Sequence, residues 1–406
     1  MHDFFEKFWL KKAADALGIP ADAEGVGNGD LTENAKTVLE KIRPSVAALS
    51  DLFTIERPRD GKFRDYMSEP KLLAAYGLFF FPQSFARAEF ALCRTLDFYV
   101  RGNAACGSAG TPIRILDLGS GAAPCGLAAV QVLRERFPQR EIALTALDRS
   151  RSALKAARAL TQIFPEKIAF AALPADLKKG VPAKLALPPQ DLILLGWSLN
   201  ECVPAPADAV PFLRALAPLL APNGILLVLE PALKITAERL QRASDFFAQK
   251  SNRGAPFFRI APELGEHACP LLREGFFWNH EVRAWTPPPC TEFLNRKLFR
   301  EIGALKFAWC ALGKTPPRRF DVPAGACGLL RLVSPIETTK HCLRFVGVNP
   351  RGEKICVEMP TRGLSKSDVK KLAASRERGD IVALAGTLEP LGAGTVRFTG
   401  TLRDFS

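Results

Sequence analysis

The chain has 406 residues, 48% hydrophobic and 24% charged, with a net charge of +13. That length accommodates two or three domains, and the balance is that of an ordinary globular protein, which excludes a disordered or low-complexity chain. No apolar run approaches the ~20 residues needed to cross a bilayer, the start lacks the basic-then-apolar order of a secretory leader, and the ten cysteines include no CxxC pair, so the expectation is a cytoplasmic protein with free thiols and no membrane partner.

Residues 1–110 read as a helical N-terminal region, with apolar periodicity over residues 4–17, over 35–52 with a break at Pro44, and over 84–99. Residues 21–31 and 102–111 read as loops, the second as the linker into the next domain. The apolar run 76–82 is stopped by Pro82, and the helix after it, carrying Arg87 and Glu89, is placed to roof a pocket.

Residues 111–260 alternate strand and helix. The first strand, from Ile113, runs into Asp117-Leu-Gly119-Ser120-Gly121 and then a helix, the order by which α/β proteins bring backbone close to a nucleoside. A second strand ends in Asp148 with Arg149 beside it, and a third leads into Asp176-Leu177. The fourth, residues 191–196, is followed by Trp197, Asn200 and Glu201, and the fifth, after a Pro-Asn-Gly turn, ends in Glu230-Pro231. The pattern predicts an α/β fold with a doubly wound, mostly parallel sheet, whose ligand edge is where the strands end. The third glycine of a dinucleotide fingerprint is replaced by Pro124, and no Gly-Lys-Ser/Thr of a P-loop is present. An acid at the tip of the second strand is positioned to accept both ribose hydroxyls; the alternative for Asp148, Asp176 and Glu230 is a helix cap or solvated strand end.

This arrangement resembles class I S-adenosylmethionine-dependent methyltransferases. The resemblance implies a cofactor site of Asp117, Gly119, Ser120, Gly121, Asp148, Arg149, Asp176, Leu177 and Trp197, with a carboxylate meeting the amino-acid end of the cofactor. Methyl transfer needs an aligned acceptor more than covalent help. Asn200 and Glu201 are the catalytic candidates, Glu201 as a base, against a capping role for the acid. No Asn/Asp-Pro-Pro-Tyr/Phe follows the fourth strand, so an exocyclic adenine amine is not the indicated acceptor.

Residues 261–327 read as an irregular basic segment rich in Cys, His and aromatics. His267, Cys269 and His280 offer three metal donors without a zinc spacing. Between residues 283 and 320, eight cations face two acids, with six Trp and Phe interleaved; this reads either as an RNA-holding surface or as core aromatics under a solvated charged face. Net charge is −2 over residues 1–100, +6 over 101–250 and +9 over 251–406. Residues 328–406 form a β-rich domain of short strands with a helix at 365–376, the element list of an OB-like barrel or of a generic β cap.

The ordered set of Phe81-Pro-Gln-Ser-Phe-Ala-Arg87, the Asp117 glycine motif, Leu195-Gly-Trp-Ser-Leu-Asn200-Glu201, Glu230-Pro, His267-Ala-Cys269-Pro-Leu and a basic β-rich tail with Lys354-Ile-Cys356 resembles the methyltransferase-like proteins of the mitochondrial small ribosomal subunit and their bacterial relatives. The resemblance implies a protein acting on or assembling the small ribosomal subunit through its rRNA. Methyl transfer is the leaning; the alternatives are a non-catalytic assembly factor and a small-metabolite methyltransferase. Mitochondrial members hold an iron–sulfur cluster on four cysteines. Here Cys269 and Cys356 match two positions, whereas Glu263 and Asn279 stand at the others. Because thiolates are the usual ligands, the expectation is no cluster unless Cys290, Cys310 or His280 substitutes. The acceptor atom and the oligomeric state stay open.

Overall fold

The structure, a computed structural model, describes residues 3–20, 25–27, 30–54, 65–99, 110–165, 167–182, 185–203, 205–248, 254–274 and 278–405. Residues 102–109 of the expected linker, and 21–24 and 28–29 of the expected loop, lie outside them. Two units interleave along the chain. The first is Met1–Arg94, Asn103–Glu230 and Ala284–Leu305; the second is Thr95–Gly102, Pro231–Arg283 and Lys306–Ser406.

The first unit begins with helices α1 (Asp3–Leu17), α2 (Glu33–Phe53) and α3 (Pro70–Arg94). Phe5, Trp9 and Ala13 recur every fourth residue on α1 and are fully buried, the stripe a core-facing helix requires. Helix α2 starts where the Thr32 hydroxyl accepts from the Ala35 amide at 3.2 Å. Both α2 and α3 run through prolines expected to break them. In α2 the buried stripe Val38, Ile42, Val46 and Leu49 keeps its phase across Pro44, so burial outweighs a penalty of ~3 kcal/mol. In α3 Pro82 cannot donate to the Leu78 carbonyl. The buried Thr291 hydroxyl does so instead at 2.9 Å, and the Gln83 amide serves the Phe79 carbonyl at 2.7 Å.

Gly77 lets α3 approach α1: a methyl there would lie 1.9 Å from the Trp9 ring. Gly77→Ala is therefore expected to lower stability by about 1–3 kcal/mol, read as a shifted urea midpoint; an unchanged midpoint would show that the contact is slack.

The sheet of this unit is built from β1 (Ile113–Leu118), β2 (Ile142–Asp148), β3 (Ala169–Pro174), β4 (Gln190–Gly196) and β5 (Leu220–Pro231). Helix α4 (Pro124–Arg136) follows β1, α5 (Arg151–Gln162) follows β2, and α6 (Leu199–Cys202) and α7 (Ala209–Ala215) follow β4. The strands are all parallel in the order β3-β2-β1-β4-β5, the doubly wound arrangement expected. Its order reverses between β1 and β4, where open α/β sheets bind ligands beyond the carboxyl ends. Residues 284–305 add α10 (Pro289–Lys297), which carries Thr291.

The second unit holds α8 (Lys234–Ala248), β6 (Phe258–Ala261), α9 (Leu271–Glu274), β7 (Glu281–Ala284) and β8 (Ala304–Gly313), with β6 antiparallel to β8 and β7 also paired to β8. The stretch 261–327, expected to be irregular, thus contains strands and helices. Beyond it lie β9 (Gly328–Leu332), β10 (Glu337–Thr338), β11 (Cys342–Val348), β12 (Lys354–Pro360), α11 (Lys366–Ala374), β13 (Ile381–Gly392) and β14 (Thr395–Asp404). Strand β9 pairs with both β11 and β13, closing a ring β9-β11-β12-β14-β13 in which only β12 and β14 run parallel. This closed five-stranded ring with one helix is OB-like. Its core contains Leu330, Leu343, Phe345, Val357, Leu384 and Phe398. Among the described residues no helix is long and apolar enough to cross a membrane.

Candidate cofactor site

At the end of β1 the chain turns through Gly119, at φ +68°, and Gly121, at φ +54°, into α4. Left-handed backbone favours glycine, and crowding adds a second reason. A methyl on Gly119 would lie 2.4 Å from Ser198 Cβ, and one on Gly121 would lie 2.9 Å from Met67 Cε. Ser198 follows β4, and its hydroxyl donates to the Leu118 carbonyl at 2.9 Å. Met67 sits in a 3₁₀ turn, Tyr66–Ser68. Sequence reasoning gave neither residue a role, because the contacts bridge distant segments: Met67 carries no motif, and Ser198 stands in the Trp197–Glu201 run without being singled out.

Asp117 is 1% exposed. Helix α4 starts from Ala123 in the left-handed region with no side-chain cap of its own. Asp117 Oδ2 accepts from the Gly126 amide at 2.9 Å and so does the work of that cap from the neighbouring strand. Burial pushes its carboxyl up to about 7, against the pull of the Gly126 bond and with a push from Asp148.

Asp148, at the tip of β2, accepts from Gly121 N on Oδ2 and from Ser150 N on Oδ1, each at 2.8 Å. A carboxylate oxygen has two acceptor sites, so these two bonds leave one site on each oxygen, the geometry that two adjacent hydroxyls require. Burial raises the Asp148 pKa, while the two amides and Arg149 oppose that rise. The tip of β3 is tied in as well, since Ala175 N donates to the Asp148 carbonyl at 3.0 Å. Asp176 caps the turn Leu177–Lys179 by accepting from Lys178 N at 3.0 Å. Leu177 is buried, with its Cδ1 3.6 Å from the position of a Gly119 methyl. Ser120 is buried, its amide on the Leu147 carbonyl.

Trp197 follows β4 at φ +59°, its amide on the Leu229 carbonyl and its ring 5.7 Å from the Arg87 guanidinium carbon. Asn200 Nδ2 donates to the Trp197 carbonyl at 2.9 Å, and Asn200 N donates to Glu230 Oε1 at 3.2 Å. The Asn200 side chain therefore holds its own turn, and Glu230 caps α6. Glu201 is half-buried, and its charge, like that of Asp148, raises the pKa of Tyr66, whose largest upward push is burial. The fold thus gathers Asp117, Gly119, Ser120, Gly121, Asp148, Leu177 and Trp197 at the carboxyl edge of the sheet. Asp176 and Asn200 have local structural partners.

In the second unit, Asn279 bridges Glu263, at 2.6 Å, and Arg331, at 2.8 Å. Arg331 also pairs with Glu281 at 2.7 Å, and Glu281 accepts from Arg283 at 2.6 Å and from the Trp309 indole at 3.1 Å. A cavity of about 10 Å³ beside them is lined by Gln241, Ser244, Asn279, His280 and Arg331, room for about one water. Cys269 is 2% exposed, and its thiol pKa is raised by burial, then by Glu263. Cys356 Sγ is 3.3 Å from Arg344 Nε. His280 is pulled down to about 4 by burial and Arg378. Cys310 is buried on β8, while Cys290 belongs to the first unit, with its amide on Glu6. Among the described residues no three His, Cys, Asp or Glu side chains are gathered to hold a metal ion.

The aromatic residues interleaved among the cations of 283–320 are mostly core. Phe293, Phe307, Trp309 and Phe320 are buried, and only Phe299, 96% exposed, stands out to solvent. Of the two readings of that segment, the structure leaves the cations without the row of accessible rings on which bases stack.

Residues 72–284 match the family described as mitochondrial small ribosomal subunit Rsm22. Among solved structures, the chain is similar to a protein from Listeria monocytogenes provisionally assigned to the class I S-adenosylmethionine-dependent methyltransferases (12% identity, 78% of this chain and 92% of that chain, TM-score 0.36). It is similar to the plantazolicin methyltransferase (13%, 69% and 99%, 0.31). It is also similar to a sugar N-methyltransferase from Streptoalloteichus (15%, 36% and 47%, 0.23), of which the match spans about half. No curated protein matches.

Proposed function

The chain belongs to the Rsm22 family, and from that premise we propose that it binds S-adenosylmethionine at the carboxyl edge of its parallel sheet and works on the small ribosomal subunit through rRNA. One observation carries the cofactor part: Asp148 keeps one acceptor site on each oxygen beside the left-handed Gly119–Gly121 turn. In this reading Asp148 receives the ribose hydroxyls, Leu177 and Trp197 flank the adenosine, and Asp117 meets the ammonium of the amino-acid end. The cofactor supplies an electrophilic methyl on sulfur; the protein orients it and excludes water. Glu201 is the candidate to accept a proton from the methylated group.

A second reading, a cofactor-binding assembly factor without transfer, is favoured by Asn200 and Glu230. Both are bonded within the turn, as groups that hold its shape. Incubating the chain with small-subunit particles and methyl-labelled cofactor separates the two. Label in rRNA supports transfer; salt-sensitive co-sedimentation without label supports the assembly role; failure to sediment at low salt contradicts both.

Asp117 gives a pH test. With its carboxyl near 7 in the free protein, ammonium binding requires the ionised form, so cofactor affinity is expected to fall about tenfold per unit below pH 7 and to level off above pH 8. Titration calorimetry from pH 5.5 to 8.5 reads this, and Asp117→Asn should flatten the profile. A flat wild-type profile removes Asp117 from the ammonium site.

We further propose that the iron–sulfur cluster of the mitochondrial members is not held here. Carboxylate and amide replace two thiolates, and these groups hydrogen-bond to each other beside a cavity of about 10 Å³.

A further inference from the structure

We propose that Arg87 is the carboxylate receptor of the cofactor site, pairing with the α-carboxylate of the amino-acid end while Asp117 takes its ammonium. The inference rests on the cofactor reading above and adds a residue that neither the glycine motif nor the strand tips identify.

Arg87 projects from α3, a helix whose apolar residues are mostly buried. Its guanidinium lies over the Trp197 ring at 5.7 Å, and one amino group donates to Gln83 Oε1 at 3.2 Å. Its Nε is shut off from solvent and has no hydrogen-bond partner. No carboxylate pairs with it among the described residues. Arg87 is partly exposed, so water still reaches the guanidinium, but its protein partners are only a neutral amide and a ring, and a cation so placed is ready to receive an anion. In agreement, burial pulls its pKa down to about 10, with Cys125 and Tyr76 opposing.

The place is informative. Cys125, the second residue of α4, is influenced by both Asp117 and Arg87, in opposite senses, after the larger effect of burial. Asp117 accepts from the Gly126 amide, one residue on from Cys125, so the acid and the guanidinium both lie near that thiol, beside the glycine turn. Gly196, at the end of β4, makes room for Cys125: a methyl there would lie 2.4 Å from the thiol sulfur. Trp197 then turns left-handed, and its ring meets Arg87. A cation and a carboxylate near one point are the complement of a zwitterionic α-amino acid. The planar fork of arginine suits a carboxylate in two-bond geometry.

Calorimetry on the full chain with two ligands tests this. S-adenosylhomocysteine carries the amino-acid end, and 5′-methylthioadenosine lacks it. Arg87→Gln is expected to weaken S-adenosylhomocysteine at least tenfold while leaving methylthioadenosine within twofold of wild type, which also shows that the variant is folded. Arg87→Lys, keeping charge but losing the fork, should fall between. Equal losses for both ligands, or none for either, would overturn the Arg87 assignment while leaving the cofactor site standing. Failure of wild type to bind either ligand would overturn the site itself.

Discussion

Glu281→Ala is expected to destabilise the second unit by about 3–5 kcal/mol, the range for removing one partner of a buried ion pair. Glu281 is 1% exposed and accepts from Arg283, Arg331 and Trp309. Without it, Arg283 keeps Asp380, whereas Arg331, 1% exposed, keeps the neutral Asn279 as its side-chain hydrogen-bond partner, a buried Nε with no partner, and the charge of Glu263 without a direct pairing. Urea unfolding followed by the fluorescence of Trp309 measures the loss, and a change under 1 kcal/mol would mean that water reaches Arg331. The same carboxyl sets a pH signature. Burial alone would raise its pKa, but Arg283 and Arg331 hold it down to about 2 from an ordinary 4.5. Its contribution is thus fully present above about 4.5 and is lost as pH falls toward 2. Glu281→Gln should remove that acid sensitivity.

Asp148→Ala is expected to weaken S-adenosylhomocysteine about 100-fold. Each hydroxyl bond to a charged oxygen contributes roughly 1.5 kcal/mol or more, and two such bonds amount to about 3 kcal/mol, or two decades. The substitution also removes the acceptor of the Gly121 and Ser150 amides, so Asp148→Asn, which keeps an acceptor oxygen, should fall in between. Asp176→Ala is the comparison. That carboxylate accepts from Lys178 N through one oxygen and is read as offering the cofactor a single bond, so its loss should change affinity about tenfold or less. Equal losses at 148 and 176 would point to a general collapse of the edge.

Much of this was legible in the sequence because each signal was local. The apolar run from Gln190 to Gly196 reads as a buried parallel strand, and it is one. The strand tips place Asp117 and Asp148 at one edge because a parallel sheet aligns carboxyl ends. The closed OB-like ring follows from five short strands and one helix in the right order. What stayed hidden depends on partners far along the chain. Pro82 reads as a stop until Thr291 supplies the missing donor. Asp117 reads as a cofactor ligand, but its helix-capping bond to Gly126 needs three dimensions to be seen. The aromatics around residue 300 alternate with cations as a stacking surface would, yet the fold turns most of them inward. Glu263 and Asn279 look like two missing thiolates in the sequence, and only the structure shows them joined to Arg331.

A crystal of the full chain grown with excess S-adenosylhomocysteine bears most directly on whether the edge of this sheet is a nucleoside site. The expected density lies across the Gly119–Gly121 turn, with the ribose diol on the two oxygens of Asp148 and the amino-acid end between Asp117 and Arg87. Met67, Ser198 and Leu177 still packed on the glycines, with no ligand beside them at saturating concentration, would contradict the account.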